Sequence, residues 1–273
     1  MFKCLNFKKY KGGRIILNET ALITGASGGL GADIATLFAR DGIHLILVAR
    51  SKEKLEQRAQ ELSKYGVQVD IIVSDLAKPG AAGELFKQVK GLGKQVDFLV
   101  NNAGVGLFGK FVETDLQKEL DMLYLNINSL THLTKLVLEE MTARGKGSIL
   151  NVASTAGFQP GPLMAVYYAS KAYVLSFSEA IENELKGTGV TVSTLCPGPT
   201  RTDFSTRANL GRSKLFDGGT MDSMSVAKAG YEGVRNGKSI IIPGTQNKIL
   251  AKSIRFMPRK LVTGIVRRMQ QEK

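Results

Sequence analysis

Tryptophan is absent from the 273 residues, and cysteine occurs only as Cys4 and Cys196, 192 positions apart. Two such isolated thiols make neither a metal-ligand cluster nor the disulfide framework of a small secreted domain, and they suit a reducing, cytoplasmic setting. No run of 18 or more predominantly apolar residues appears: the uncharged stretch of 24 residues from Gly147 to Ser170 is interrupted by Asn151, Ser154, Gln159, Pro160 and Pro162. A membrane span is therefore not expected, and the opening residues lack the continuous apolar core of a signal peptide. With 7 prolines, 30 glycines, 43% hydrophobic and 22% charged residues, the composition also excludes collagen and extended disorder. A chain of this length can bury a large core without staples.

Acidic residues are scarce relative to basic ones, giving a formal charge of +13, but the excess sits at the ends. Residues 1–14 hold five Lys/Arg and no acid, and residues 252–273 hold seven against one; without them the body has 25 basic and 23 acidic residues. Basic ends attract anions loosely without defining a specific nucleic-acid module. We divide the chain into a basic N-terminal extension (1–17), a catalytic domain (18–247) and a basic amphipathic C-terminal extension (248–273). In the last, Leu261, Val262, Ile265, Val266 and Met269 make a helical apolar stripe beside Arg259, Lys260, Arg267 and Arg268. Packing on the same subunit or a partner is the favoured reading, and peripheral membrane contact the other.

From Glu19 onward, short apolar runs alternate with helix-length stretches. Strands are predicted at 20–24, 44–48, 67–73, 97–100, 148–152, 190–195 and 239–242, with helices near 29–40, 52–65, 81–89, 116–142 and 172–186. This is the pattern of a single α/β domain of Rossmann type, doubly wound around a mostly parallel sheet with helices on both faces. The least patterned segment, residues 201–221, follows a strand end and is either a lid over a ligand or a long surface connection.

The first strand runs into Thr24-Gly-Ala-Ser-Gly-Gly-Leu-Gly31 and then a helix. Glycines at such a turn let backbone approach a pyrophosphate, which the free amides of the helix start can bind. The run resembles the TGxxxGxG signature of the short-chain dehydrogenase/reductase family and marks Gly25, Ser27, Gly29, Leu30 and Gly31 as cofactor contacts. Ala49-Arg50 ends the second strand: no acid is present to bind a ribose diol, whereas Arg50 suits a 2′-phosphate, so NADPH is expected over NADH. Asp75 and Leu76 after the third strand, and Asn102, Ala103 and Gly104 after the fourth, extend the resemblance to the adenine pocket and cofactor wall.

Four further residues carry the chemistry. Tyr167 and Lys171 stand four apart and share one helix face; lysine there favours the phenolate and is expected to lower the tyrosine pKa. Ser154, 13 residues before Tyr167, lies just beyond an apolar strand, where its hydroxyl can hold a substrate oxygen. The resembling family has an assisting asparagine three positions before a small residue, here Ser129, which implies Asn126 over Asn128 for that role. Together with Pro197, Gly198, and Thr200 or Thr202 beside the nicotinamide end, these residues resemble the Ser-Tyr-Lys arrangement of a classical short-chain dehydrogenase/reductase over residues 18–245.

That resemblance implies hydride transfer from NADPH to a ketone, aldehyde or acyl-linked ketone, with Tyr167 as acid. It also implies a homodimer or homotetramer, no metal and no specific nucleic-acid partner. Val105, Leu107, Phe108, Phe111, Phe158, Leu163, Met164, Phe204 and Leu210 are the candidate walls of an apolar pocket. The same groups serve an alcohol or hydroxysteroid dehydrogenase running oxidatively, and a nucleotide-sensing or scaffolding protein would keep the fold without turnover.

Overall fold

The apolar runs alternate their side chains between two faces, and both faces are covered. In β1 (Thr20–Thr24), Ala21 and Ile23 enter one core cluster and Leu22 the other; in β2 (His44–Ala49), Leu45 and Leu47 join the first while Ile46 and Val48 join the second. A strand buried on both sides reads as a continuous apolar run, which is why these segments mark a parallel sheet. The structure is a computed structural model that describes residues 8–9, 15–16, 18–208, 210 and 219–271.

After β2 come β3 (Val69–Val73), β4 (Phe98–Asn101), β5 (Gly147–Val152), β6 (Val190–Leu195) and β7 (Ile240–Ile241). All neighbouring pairs are parallel, in the order β3-β2-β1-β4-β5-β6-β7. The chain is thus a single Rossmann-like α/β domain, as expected. Lys8–Lys9 and Ile15–Ile16 form a separate antiparallel pair.

Helices α1 (Gly29–Arg40), α2 (Lys52–Ser63) and α8 (Ser223–Arg235) cover one face. Phe38 of α1 is fully buried there, edge-on to Tyr231 of α8 with ring centroids 4.9 Å apart. On the other face, α3 (Ala81–Gly91) and α5 (Leu130–Arg144) bury Leu85, Val89, Leu133 and Val137. Winding to opposite faces begins at β1, so the loops after β1 and β4 diverge and leave a crevice at the carboxyl ends of the strands.

Two predicted helices differ in outline. The stretch 116–142 is divided into α4 (Leu116–Leu123), a π-helical turn (Tyr124–Ser129) and α5. The wide turn accompanies three hydrogen bonds that hold the Asn126 amide inward, and hydrophobic spacing does not reveal such a turn. The helix predicted from residue 172 starts earlier, as α6 (Ala165–Glu184), and so carries Tyr167 and Lys171. Short helix α7 (Phe204–Arg207) lies in the segment expected to be a lid or connection; residues 209 and 211–218 of that segment, Cys4 and most of the N-terminal extension lie outside the described residues. The chain ends in α9 (Thr245–Ser253) and α10 (Arg259–Met269).

Candidate active site

At the crevice, the loop after β4 clamps the loop after β1. The Thr24 hydroxyl accepts from the backbone amides of Asn102 (3.1 Å) and Ala103 (3.0 Å) and donates to the Val100 carbonyl (3.2 Å). The Asn102 side-chain amide donates back to the carbonyls of Thr24 (3.0 Å) and Gly25 (3.2 Å). Gly25 has φ +68°, a left-handed conformation that glycine tolerates best. A Cβ on Gly31 would stand 2.5 Å from the Gly25 carbonyl oxygen and 2.4 Å from the Asn102 amide nitrogen, so the helix can approach this loop only with glycine there.

The start of α1 has no side-chain cap: Gly28 occupies the N-cap position, and a Cβ added to it would meet nothing within 4 Å. Ser27 is in the turn just before it, and Leu30 packs inward against the core. Uncapped amides at a helix N-terminus suit a pyrophosphate. Around this point stand the other predicted contacts. Arg50 is exposed at the end of β2. Asp75 accepts from the Ala77 amide (3.2 Å), and the Leu76 carbonyl accepts from the Ser129 hydroxyl (2.5 Å).

The two threonines separate clearly. Thr202 lies against Gly29, whose added Cβ would be 3.2 Å from the Thr202 Cβ, whereas Thr200 donates to the Gly198 carbonyl (2.9 Å) and pairs with Met221. Pro197 is tied to the turn after β5: its carbonyl accepts from the Thr155 amide (2.9 Å) and the Ser154 hydroxyl (3.3 Å).

Tyr167 and Lys171 project from adjacent turns of α6, with the Lys171 Nζ 5.8 Å from the phenol ring centroid. Ser154, at the turn after β5, accepts from the Ala156 amide (3.1 Å) and acts on the Tyr167 phenol, whose pKa it lowers. Lys171 donates to the Val152 carbonyl (2.8 Å). Asn126 accepts from the Val105 amide (3.1 Å) and donates to the Val105 carbonyl (2.9 Å) and to Ser170 (3.0 Å). Gly104 completes the cluster: a Cβ there would lie 3.3 Å from the Asn126 oxygen and 3.4 Å from the Lys171 nitrogen.

The electrostatics correct one expectation. Burial pushes the Tyr167 phenol up to about 12, with the Ser154 hydroxyl pulling the other way, so the phenol is not lowered as predicted. Burial also draws Lys171 down to about 8. Dry surroundings disfavour both charged forms and leave a protonated phenol beside an ammonium that remains mostly charged at neutral pH.

The apolar wall is narrower than predicted. Phe108, Met164 and Leu210 are buried in one cluster with Tyr167, and Val105, Leu107, Leu163 and Phe204 pack against it. Phe158 instead packs in a different cluster with Leu130 and Val174, because the 3-10 turn Thr155–Phe158 carries it round the end of β5. Phe111 is 65% exposed and belongs to neither. Val262 and Val266 of α10 pack on their own subunit, the favoured reading of that stripe, but the sequence did not show that they join this wall or that Leu163 has φ 71°. Left-handed leucine is rare and strained. No apolar pattern announces it.

The comparisons agree with this architecture. A family described as short chain dehydrogenase matches residues 19–213. The chain is 39% identical over 188 residues to a very-long-chain 3-oxoacyl-CoA reductase of Anas platyrhynchos, a match spanning 66% of this chain and 59% of that protein's length. It is 32% identical over 243 residues to the ketoacyl reductase HetN of a Nostoc species, covering 89% of this chain and 84% of that one. A solved short-chain dehydrogenase from Sphingobium yanoikuyae in complex with NADPH superposes with TM-score 0.79 at 31% identity, covering 87% of this chain and 94% of the other. The family match runs from β1 past the Ser154, Tyr167 and Lys171 cluster, and the chain belongs to the short-chain dehydrogenase/reductase family of oxidoreductases.

Proposed function

We propose that the protein is an NADPH-dependent reductase of apolar ketones, aldehydes or acyl-linked ketones. The carrying observation is the buried Tyr167 phenol with Lys171 on the same helix face, the Ser154 hydroxyl lowering its pKa against burial, and an apolar wall around it. NADPH, when bound, supplies the hydride. The uncapped start of α1, the glycine turn and exposed Arg50 fit its phosphates, with Arg50 assigned to the 2′-phosphate and Thr202, beside Gly29, to the pyrophosphate side. Asp75 and Leu76 are assigned to the adenine, and Ala103 and Gly104 to the cofactor wall. Pro197, Gly198 and Thr200 are assigned to the nicotinamide end.

Tyr167 gives its proton to the carbonyl oxygen as negative charge develops there, and Ser154 orients that oxygen. Lys171 binds ribose hydroxyls and returns a proton toward Tyr167, with Asn126 holding the relay in place. Reduction needs the protonated phenol, which burial favours; oxidation would begin from the phenolate, which burial opposes. The names of the two reductase relatives favour the acyl-linked ketone within this substrate class. Loss of NADPH absorbance over a panel of long-chain 3-oxoacyl thioesters, aryl ketones and aldehydes tests the reading; a purified, NADPH-binding protein inactive on all three classes would defeat it.

Arg50→Ala should weaken NADPH binding by about tenfold or more while changing NADH affinity little, because a charge-assisted hydrogen bond is worth ~1.5–3 kcal/mol. Equal losses in fluorescence titrations of the two cofactors would count against recognition of the 2′-phosphate.

The pH dependence has a definite sign. Deprotonation of Lys171, which has been drawn down to about 8, removes the ammonium as pH rises, whereas Tyr167 keeps its proton to much higher pH. The kcat/KM for NADPH, which reports free-enzyme groups, should hold steady in mildly acidic buffer and fall through the region of pH 8. Lys171→Arg should remove that falling limb, since guanidinium stays charged. An unchanged limb in the arginine variant would assign it elsewhere.

A further inference from the structure

We propose that the outward face of the C-terminal α9–α10 segment is an attachment surface for an anionic lipid bilayer. Helix α10 has two apolar faces with different fates. Val262 and Val266 are 4% and 3% exposed and pack into the cluster that holds Tyr167. Gln270, just beyond the helix, is buried and donates to the Tyr168 hydroxyl. These contacts anchor the helix to its own domain. They leave Leu261, Ile265 and Met269, spaced four apart on an adjoining face, 53%, 38% and 45% exposed. Phe256, in the turn before the helix, is 89% exposed.

Charge identifies the occupant. Residues 245–271 contain seven Lys/Arg and no Asp or Glu. Elsewhere on the surface, many helix cations face acids on their own helix, as in Lys52–Glu56 of α2, Lys135–Glu139 of α5 and Lys228–Glu232 of α8. Among the described residues, none of the seven in this segment makes an ion pair. On α10, Lys260, Arg267 and Arg268 lie away from the buried face and alongside the exposed stripe. Unpaired cations beside exposed aliphatic side chains match anionic headgroups over an acyl layer: the long basic stems snorkel while Leu261, Ile265 and Met269 enter the boundary. A second copy of this equally basic segment would meet it with like charge, and a nucleic acid would leave the apolar stripe wet. Docked this way, the wall behind Tyr167 stands next to the lipid.

The test is co-sedimentation of the full chain with phosphatidylcholine vesicles, with or without phosphatidylserine. Recovery should require phosphatidylserine and fall as salt rises. The triple variant Leu261→Ser, Ile265→Ser, Met269→Ser should lower partitioning by about tenfold or more, and Arg267→Gln with Arg268→Gln should lower it as well. NADPH binding, followed by fluorescence, should be unchanged in both variants, showing that the inner face of α10 still holds. Equal recovery of the wild type and the triple variant would overturn the proposal. So would no recovery of the wild type, sedimentation without vesicles, which would mark self-association, or phosphatidylserine-independent pelleting. Tighter capture by duplex DNA than by vesicles, unaffected by the serine substitutions, would assign the surface to nucleic acid instead.

Discussion

Tyr167→Phe is expected to lower kcat for carbonyl reduction by about 10²–10⁴-fold, the usual contribution of a positioned general acid, with NADPH affinity largely kept. The substitution retains the ring, which packs against Phe204 at a centroid distance of 5.4 Å and against Tyr168 at 6.1 Å, and removes only the hydroxyl. Ser154 is a poor replacement as proton donor, because its hydroxyl already donates to the Pro197 carbonyl and an aliphatic alcohol is a weaker acid than a phenol. Lys171 is held by the Val152 carbonyl independently of the phenol, so cofactor contacts made by the ammonium should survive. Steady-state NADPH consumption beside a fluorescence binding titration separates the two effects. Wild-type turnover in the phenylalanine variant would remove Tyr167 from the acid role.

Gly31→Ala should do the reverse, weakening NADPH binding by about tenfold to a hundredfold, in line with the ~1–3 kcal/mol cost of forcing a group into packed space. The new methyl would collide with the Gly25 carbonyl oxygen, which is backbone, and with the Asn102 amide that braces the same turn. Either the helix start retreats or the Asn102 clamp opens, and both displace the amides offered to the pyrophosphate. Gly28→Ala is the matched control: its methyl meets nothing within 4 Å, so the protein should fold normally and retain more affinity for NADPH than Gly31→Ala. Titration of both variants, with thermal unfolding in the absence of NADPH to verify folding, checks the difference. Indistinguishable affinities in the two variants would show that the close approach at Gly31 is not what shapes the turn.

Much of this arrangement was legible because it is local. The strand 20–24, the glycine turn and the helix 29–40 follow one another in the sequence, and the structure has them at those bounds. Tyr167 and Lys171 are likewise one helical turn apart, so their shared face follows from the helix period even though the predicted helix began too late. Phe158 and Phe111 were misjudged for the opposite reason: apolar character shows that a side chain seeks cover without saying which cluster supplies it.

The sequence alone determined the alternation of strand and helix, the glycine turn, and the shared helix face of Tyr167 and Lys171, since each depends on spacing within a few residues. Tertiary structure decided the protonation balance of Tyr167 and Lys171, because desolvation depends on everything packed around a group. It also decided the π-helical seat of Asn126, the separation of Thr202 from Thr200, and the burial of one face of α10 against the Tyr167 wall while its neighbour stayed exposed. Those outcomes join residues far apart in the chain, from Val105 with Asn126 to Gly29 with Thr202, and only the folded chain brings such residues into contact.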